Sequence, residues 1–202
     1  MKIPLRFQIT EYDCGTTALQ NALSYLFDRE EIPAELVKAI HNYTLDCYDE
    51  YGNFGQGGTS KESIELLSKW VTDYSIHEKF DVIFTKYDGK IITKDLLKKE
   101  IKSGAVVFIR CWQGSEHYVL ITNIDSEYAY IWDSYYFDET YYDKDGEVEI
   151  VFTQPFSYNR KVKLQRLFNN TEKDFALPAE NLREMVSIKR GNKLSKNLSR
   201  TL

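Results

Sequence analysis

The sequence has no long apolar run. It contains 10 glycines and 4 prolines among 202 residues, so few positions would interrupt helices or strands. Its longest aliphatic run, 105–109, is far too short to cross a bilayer. The first residues, Met1 to Arg6, lack the apolar core of a signal peptide. Because no linker rich in proline or glycine divides the chain, we expect one domain with extensions and no membrane insertion.

The chain also lacks a basic excess and closely paired cysteines. Its formal net charge is -5, whereas a nucleic-acid surface needs a basic face, so nucleic acid is not an expected partner. Cys14, Cys47 and Cys111 are odd in number and widely spaced, which indicates neither a disulfide framework nor a zinc site. We expect no metal and no cofactor, and a reducing cytoplasm is the expected location for such free thiols.

Apolar residues at helical spacing are found mainly in the N-terminal part of the chain. From Cys14 to Phe27 apolar residues recur at helical spacing, and a second stripe covers 33–42. After a polar loop, the segment from Thr59 to Glu62 is typical of a capping box that begins a third helix. The pattern predicts a further helix at 96–101.

The part of the chain from residue 80 to residue 152 is rich in β-branched and aromatic residues. The predicted strands are 80–85, 105–111, 117–124, 128–133 and 147–152. We therefore expect an α+β fold over residues 1–168, with N-terminal helices packed on an antiparallel sheet. Residues 169–202 are expected to form a C-terminal extension, in which 174–188 can pack back on the domain and a basic tail from Lys189 is mobile.

Cys14 lies at the first turn of the first predicted helix. Unpaired backbone N–H groups and the positive end of the helix dipole favour a thiolate there. A small buried cysteine that begins a core helix is the alternative. Gln8, six positions upstream, favours the nucleophile, because a side-chain amide can stabilise an oxyanion. Gly15 lets another backbone or a substrate come close.

Three histidines can supply the base. His41 and His77 lie at a helix end and in a polar connection, which suit surface or helix-terminal roles. His117 opens a strand after a polar loop, so its ring can stand at a sheet end beside a cleft. In a hairpin with the next strand, Asp133 would lie opposite His117 and accept a hydrogen bond from Nδ1. The alternative for Asp133 is a turn residue at a strand end.

The loop before His117 is a candidate substrate-binding element. Trp112 offers a large apolar surface with a polar edge, and Gly114 lies in the same loop. Trp112 therefore either walls a substrate groove or packs in the core. Tyrosines between 128 and 142 present a similar choice between a peptide-recognition surface and half-exposed sheet aromatics.

These residues together carry a resemblance to a family. The matching positions are Gln8, Asp13, Cys14, Gly15, Ala18, Leu19, Gly58, Thr59, Ser60, His117 and Asp133. In order and spacing, residues 3–135 resemble the bacteriocin-processing peptidases, cysteine-peptidase family thirty-nine, which are papain-like. This sequence departs from the family in two places: Ala18 stands where a second cysteine is often seen, and Ser134 where proline is usual.

The resemblance implies a catalytic site and a reaction. It implies that Cys14 is the nucleophile, His117 the base, Asp133 its orienter and Gln8 the oxyanion donor. Because the chain shows no membrane segment or ATPase motif, it looks like a free-standing cysteine peptidase that cleaves a peptide or leader-peptide bond. A double-glycine leader is the substrate type that the family suggests. The alternatives are an acyltransferase that uses the same triad and a catalytically silent peptide-binding module.

Overall fold

The computed structural model describes residues 1–77 and 80–191. Its helices are α1 (Cys14–Leu26), α2 (Ala34–Tyr43), α3 (Lys61–His77), α4 (Lys94–Lys102) and α5 (Leu164–Leu167). Its strands are β1 (Val82–Asp88), β2 (Val106–Trp112), β3 (Glu116–Ile124), β4 (Tyr128–Trp132), β5 (Val148–Ile150), β6 (Arg160–Lys163) and β7 (Glu184–Arg190). Among these residues no helix has both the length and the apolar composition that a membrane span requires.

The strands of the described residues form one seven-stranded sheet in the order β1-β7-β2-β3-β4-β6-β5. Each neighbouring pair is antiparallel. The last strand, β7, lies between β1 and β2, and it pairs with β1 along its whole length. The fold is therefore α+β, as predicted, with the hairpin of β2 and β3 near the middle of the sheet.

The sheet is covered on both faces. On one face α1, α2 and α3 pack their apolar sides against alternate strand residues such as Phe108 and Leu120. On the other face α4, α5 and the chain around Phe175 cover Ile109 and Val119. Since both faces are buried, β2 and β3 carry nearly continuous apolar runs.

The cap of α3 differs from the predicted one. The helix begins at Lys61. Its cap is Ser60, whose Oγ accepts a hydrogen bond from the N–H of Ser63 at 3.0 Å. The predicted capping box of Thr59 and Glu62 is therefore not formed. Thr59 instead lies against Gly15, where its Oγ1 would be 2.8 Å from an added Cβ. This contact joins the loop before α3 to the first turn of α1.

The sequence does not predict β6 or β7. In β7 Val186 and Ile188 enter one core cluster and Met185 the other, so this strand lacks the alternation that marks a half-buried strand. In β6 the two buried residues are Arg160 and Val162, and only Val162 is apolar. Short or doubly buried strands give a weak periodic signal, which is why the pattern fades in this region.

The sheet thus takes in residues from beyond position 168. The division into a domain of residues 1–168 and an extension of 169–202 stays a prediction. The basic tail that we expect from Lys189 begins inside β7, because Lys189 and Arg190 both pair with β1. The rest of that predicted tail, 192–202, lies outside the described residues.

Ile188 tests the place of β7 in the core, because its side chain is fully buried. We expect Ile188→Ala to lower the free energy of unfolding by about 2–5 kcal/mol, since it leaves a cavity between α-helices and sheet. Leu182→Ala, at a side chain that is 56% exposed, is the control and should change it by less than about 0.5 kcal/mol. Urea unfolding followed by circular dichroism measures both, and equally small losses would contradict this placement.

Candidate active site

Cys14 begins α1, and its thiol faces the start of β3. The side chain is buried, and His117 and the backbone of Tyr118 and Gly15 act on its thiol to lower its pKa. The first turn of a helix supplies backbone N–H groups that have no partner within the helix. The structure therefore brings Cys14 and His117 together, in surroundings that favour a thiolate.

His117 and Asp133 form the second contact of the site. His117 Nε2 lies 2.8 Å from Asp133 Oδ1, and both side chains are buried. An ionised carboxylate only accepts hydrogen bonds, so Nε2 is the donor and Nδ1 remains for Cys14. The prediction that Nδ1 faces Asp133 is thus wrong in its choice of ring nitrogen, whereas the predicted pairing of the two residues is present.

The predicted strand register is also wrong. Leu120 pairs with Trp132, so the next residue of the chain, Asp133, lies opposite position 119 and not opposite His117. The turn is centred after residue 126, because Ile124 pairs with Ala129, and a bulge follows Ile121. His117 and Asp133 are therefore diagonal neighbours on one face, a separation that a long side chain such as histidine can bridge.

Asp133 is surrounded by hydrogen-bond donors. Besides His117, its carboxylate accepts hydrogen bonds from the N–H of Tyr135 at 2.9 Å and from Gln113 Nε2 at 2.9 Å. Its backbone is clamped by the amide of Asn159, which accepts from the Asp133 N–H at 2.8 Å and donates to its carbonyl at 2.7 Å. These contacts fix the carboxylate that orients the imidazole.

A buried cation balances Asp133. Arg160 is fully buried, and its Nη2 lies 3.6 Å from Asp133 Oδ2. The same guanidinium donates to the carbonyls of Asn159 and Tyr135 at 2.9 and 3.0 Å. Sequence reasoning missed both Arg160 and Asn159, which lie in and beside the unpredicted β6, and no motif marks them. Gln113 lies in the predicted loop before His117, but its distance along the sequence from Asp133 does not predict the hydrogen bond between them.

The pKa values of the three groups are shifted together. Burial acts to raise the pKa of Cys14, but the hydrogen bond and charge of His117 outweigh it, and the net pKa lies below the ordinary thiol value. Burial acts to lower the pKa of His117, but Asp133 and Cys14 raise it to about 10. Burial acts to raise the pKa of Asp133, which His117 and Arg160 bring below its ordinary value. The shifts favour a thiolate beside an imidazolium.

Gln8 lies in the loop that leads into α1. Its Nε2 donates to the Thr10 carbonyl at 2.8 Å, and its Oε1 accepts from Ser134 Oγ at 2.8 Å. The carboxylate of Asp13, just before Cys14, accepts hydrogen bonds from the Thr10 N–H and hydroxyl at 2.8 and 2.7 Å. These hydrogen bonds tie the loop that precedes Cys14 to Ser134 on one side and to Asp13 on the other.

The predicted substrate-binding residues occupy different environments. Gly15 is buried against Thr59 and Tyr118, so the close approach that it permits is made by the protein itself. Gly114 is exposed in the turn between β2 and β3 and has a positive φ of 69°, which suits glycine. Trp112 is half-buried and lines a cavity.

This cavity, of about 330 Å³, begins next to the histidine-bearing hairpin. Its wall includes Cys111, which pairs with His117 across the ladder, and Glu116, which precedes His117. The opposite wall comes from the C-terminal segment, residues 170–172, 178, 179 and 182. That segment is tied to the hairpin by backbone hydrogen bonds between Trp112 and residues 175 and 176 at 2.7 and 2.9 Å.

The remaining cysteines differ from Cys14. All three thiols are free. Burial, with the charge of Asp133, raises the pKa of Cys111 well above its ordinary value, and burial with nearby carboxylates raises that of Cys47. Among residues 1–77 and 80–191, no group of three or more His, Cys, Asp or Glu side chains is arranged to hold a metal ion.

A helix that begins with the cysteine and packs on an antiparallel sheet that bears the histidine and aspartate defines the α+β papain-like class. The sequence profile of the Peptidase_C39 like family matches residues 1–163, and the chain belongs to this family. No curated protein matches it. The crystal structure of a candidate C39-like peptidase from Bacillus anthracis is similar, with 15% identity, a TM-score of 0.48 and coverage of 94% of this chain and 96% of that chain.

The lowered pKa of Cys14 predicts selective alkylation. A thiolate is present above its pKa, so at pH 7 iodoacetamide should label Cys14 faster than Cys47 or Cys111, whose pKa values are raised. His117→Ala should move the alkylation profile of Cys14 to higher pH, because it removes the main cause of the lowered pKa. Mass spectrometry of peptides after timed labelling measures each rate. Equally slow labelling of all three cysteines would contradict an activated thiolate.

Proposed function

We propose that this protein is a cysteine peptidase that cleaves a peptide or leader-peptide bond through Cys14, His117 and Asp133. The observation that carries the proposal is the connected set of contacts from the thiol of Cys14 through the imidazole to the buried carboxylate. Such a set lowers the pKa of the nucleophile and fixes the tautomer of the base, which are the two requirements of acyl transfer from a thiol. Membership of the Peptidase_C39 like family supports the same reaction.

The reaction proceeds in two steps. The Cys14 thiolate attacks the peptide carbonyl, a carbon–sulfur bond forms, and the carbon–nitrogen bond breaks while His117 gives its proton to the leaving amine. His117 then takes a proton from water, and the resulting hydroxide attacks the thioester and releases the second product and the thiolate. Asp133 keeps Nε2 protonated throughout, so that Nδ1 handles the proton.

Gln8 is the proposed oxyanion donor together with the backbone N–H of Cys14. The Gln8 side-chain amide has two N–H bonds, and one of them is used by the Thr10 carbonyl. The second is available for the oxygen that becomes negative when the thiolate attacks. Donors fixed in advance at this position stabilise the transition state more than the substrate.

For the substrate we propose a peptide with a double-glycine leader, the substrate type implied by the resemblance of residues 3–135 to the bacteriocin-processing peptidases. The three free thiols suit a reducing cytoplasm, which is the location that we propose. A peptidase there would meet a precursor peptide before export.

A peptide library tests the proposed reaction. Wild type should cleave a subset of peptides, including double-glycine precursors, and Cys14→Ala should cleave none, because it lacks the nucleophile. Mass spectrometry identifies the products. Capture of peptides by both proteins without products would indicate a binding module, and products joined to an added amine would indicate an acyltransferase; either result would contradict the peptidase.

The cavity beside Trp112 is the proposed site for a bulky apolar side chain of the substrate. Because His117 protonates the leaving amine, residues after the cleaved bond lie on the His117 side, and the cavity is lined by Cys111 and Glu116, the cross-strand partner and the chain neighbour of His117. Trp112, Pro178 and Leu182 give it apolar walls.

Leu182→Ala should therefore change specificity. We expect kcat/KM to fall about tenfold for peptides with a large apolar residue after the cleaved bond, and to stay constant for peptides with a small one. Leu66→Ala, at a 54% exposed position of α3, is the matched control. A library in which this one position varies measures the effect, and identical selectivity of the variant and wild type would contradict the assignment.

A further inference from the structure

The side-chain amide of Gln8 is held at both ends, by the Thr10 carbonyl and by the hydroxyl of Ser134. A carbonyl oxygen only accepts hydrogen bonds, so the Gln8 atom that lies 2.8 Å from the Thr10 carbonyl must be the nitrogen. The oxygen of the amide then faces Ser134 Oγ, also at 2.8 Å, and the hydroxyl must donate. A second contact, from the Gln8 N–H to the Ser134 carbonyl at 2.9 Å, joins the two backbones.

Ser134 is itself held in place. Ser134 is 1% exposed, and it follows Asp133, whose backbone N–H and carbonyl are both hydrogen-bonded to Asn159. Neighbouring side chains of an extended chain point to opposite faces, so the Asp133 side chain reaches His117 while that of Ser134 reaches Gln8 on the other face. The donor that meets Gln8 is therefore a fixed group and not a mobile surface hydroxyl.

We propose that Ser134 is a positioning residue for the oxyanion donor: by donating to Gln8 Oε1, it keeps the free N–H of Gln8 directed at the developing oxyanion. The inference rests on the proposed acyl-transfer chemistry of Cys14. Without the hydroxyl, the oxygen end of the Gln8 amide loses its hydrogen-bond partner, and only the contact with the Thr10 carbonyl still holds the amide.

Two thiol reagents separate this role from a general structural one. p-Nitrophenyl acetate transfers its acetyl group to Cys14: a carbon–sulfur bond forms, the ester carbon–oxygen bond breaks, and p-nitrophenolate leaves with the electron pair. The attack passes through an oxyanion. Iodoacetamide alkylates the same thiolate by displacing iodide, and no oxyanion forms. Neither reagent requires a recognised peptide sequence, so the test does not depend on finding the natural substrate.

Ser134→Ala should slow acetylation of Cys14 about three- to tenfold, the effect of losing one neutral hydrogen bond. Alkylation by iodoacetamide should change less than about twofold, because the thiolate and His117 are untouched. Ser134→Thr, which keeps the hydroxyl, should recover most of the acetylation rate. Ser126→Ala, at an exposed serine of the turn between β3 and β4, is the matched control for loss of a hydroxyl.

A double-mutant cycle completes the test. If Ser134 acts through Gln8, Ser134→Ala should have no further effect on acetylation in a Gln8→Ala background. Additive losses, an unchanged acetylation rate or equal losses with both reagents would overturn the role of Ser134. A wild-type thiol that p-nitrophenyl acetate does not acylate would overturn it too, whereas acylation without cleavage of any peptide would contradict only the proposed peptidase function.

Discussion

The buried carboxylate of Asp133 is the group on which the geometry of the site depends. An ionised carboxylate without partners costs several kcal/mol in a protein interior. Here His117, Gln113 and the N–H of Tyr135 donate to it, and the guanidinium of Arg160 lies 3.6 Å away. These donors come from β3, the turn before it, the segment after β4, and β6. Satisfying one charge therefore holds four segments of the chain in a single arrangement.

Arg160 balances the charge of Asp133 beside the pair of Cys14 and His117. Asp133 and Arg160 together carry no net charge, so Cys14 and His117 can be a neutral pair or an ion pair without leaving a net charge in the core. If Asp133 were balanced by the imidazolium alone, His117 would hold its proton more tightly. It would then be a poorer proton donor in the proposed reaction. The buried guanidinium thus stabilises the carboxylate without requiring that His117 stay charged.

The sequence predicts the front of the fold well, because apolar residues there follow clear periods of 3.6 and 2. It also identifies Cys14, His117 and Asp133, which the structure brings together. It fails for β7, which is buried on both faces, and for the register of β3 and β4, which depends on a turn centre and a bulge that hydrophobic patterning does not fix. Periodicity tells which face a side chain is on, but not which distant residue it meets. The contacts of Arg160 could not be predicted for that reason.

The consecutive residues Asp133 and Ser134 connect the two halves of the proposed chemistry. One orients the base through Nε2 of His117, and the other bonds the amide of Gln8. Because they are neighbours at the end of β4, a shift of this strand end would move the base and the oxyanion donor together. The two hydrogen bonds between Asn159 and the Asp133 backbone therefore position both the base and the oxyanion donor. They do so indirectly, through the Asp133 backbone. Correct placement of the strand end is the condition that both halves share.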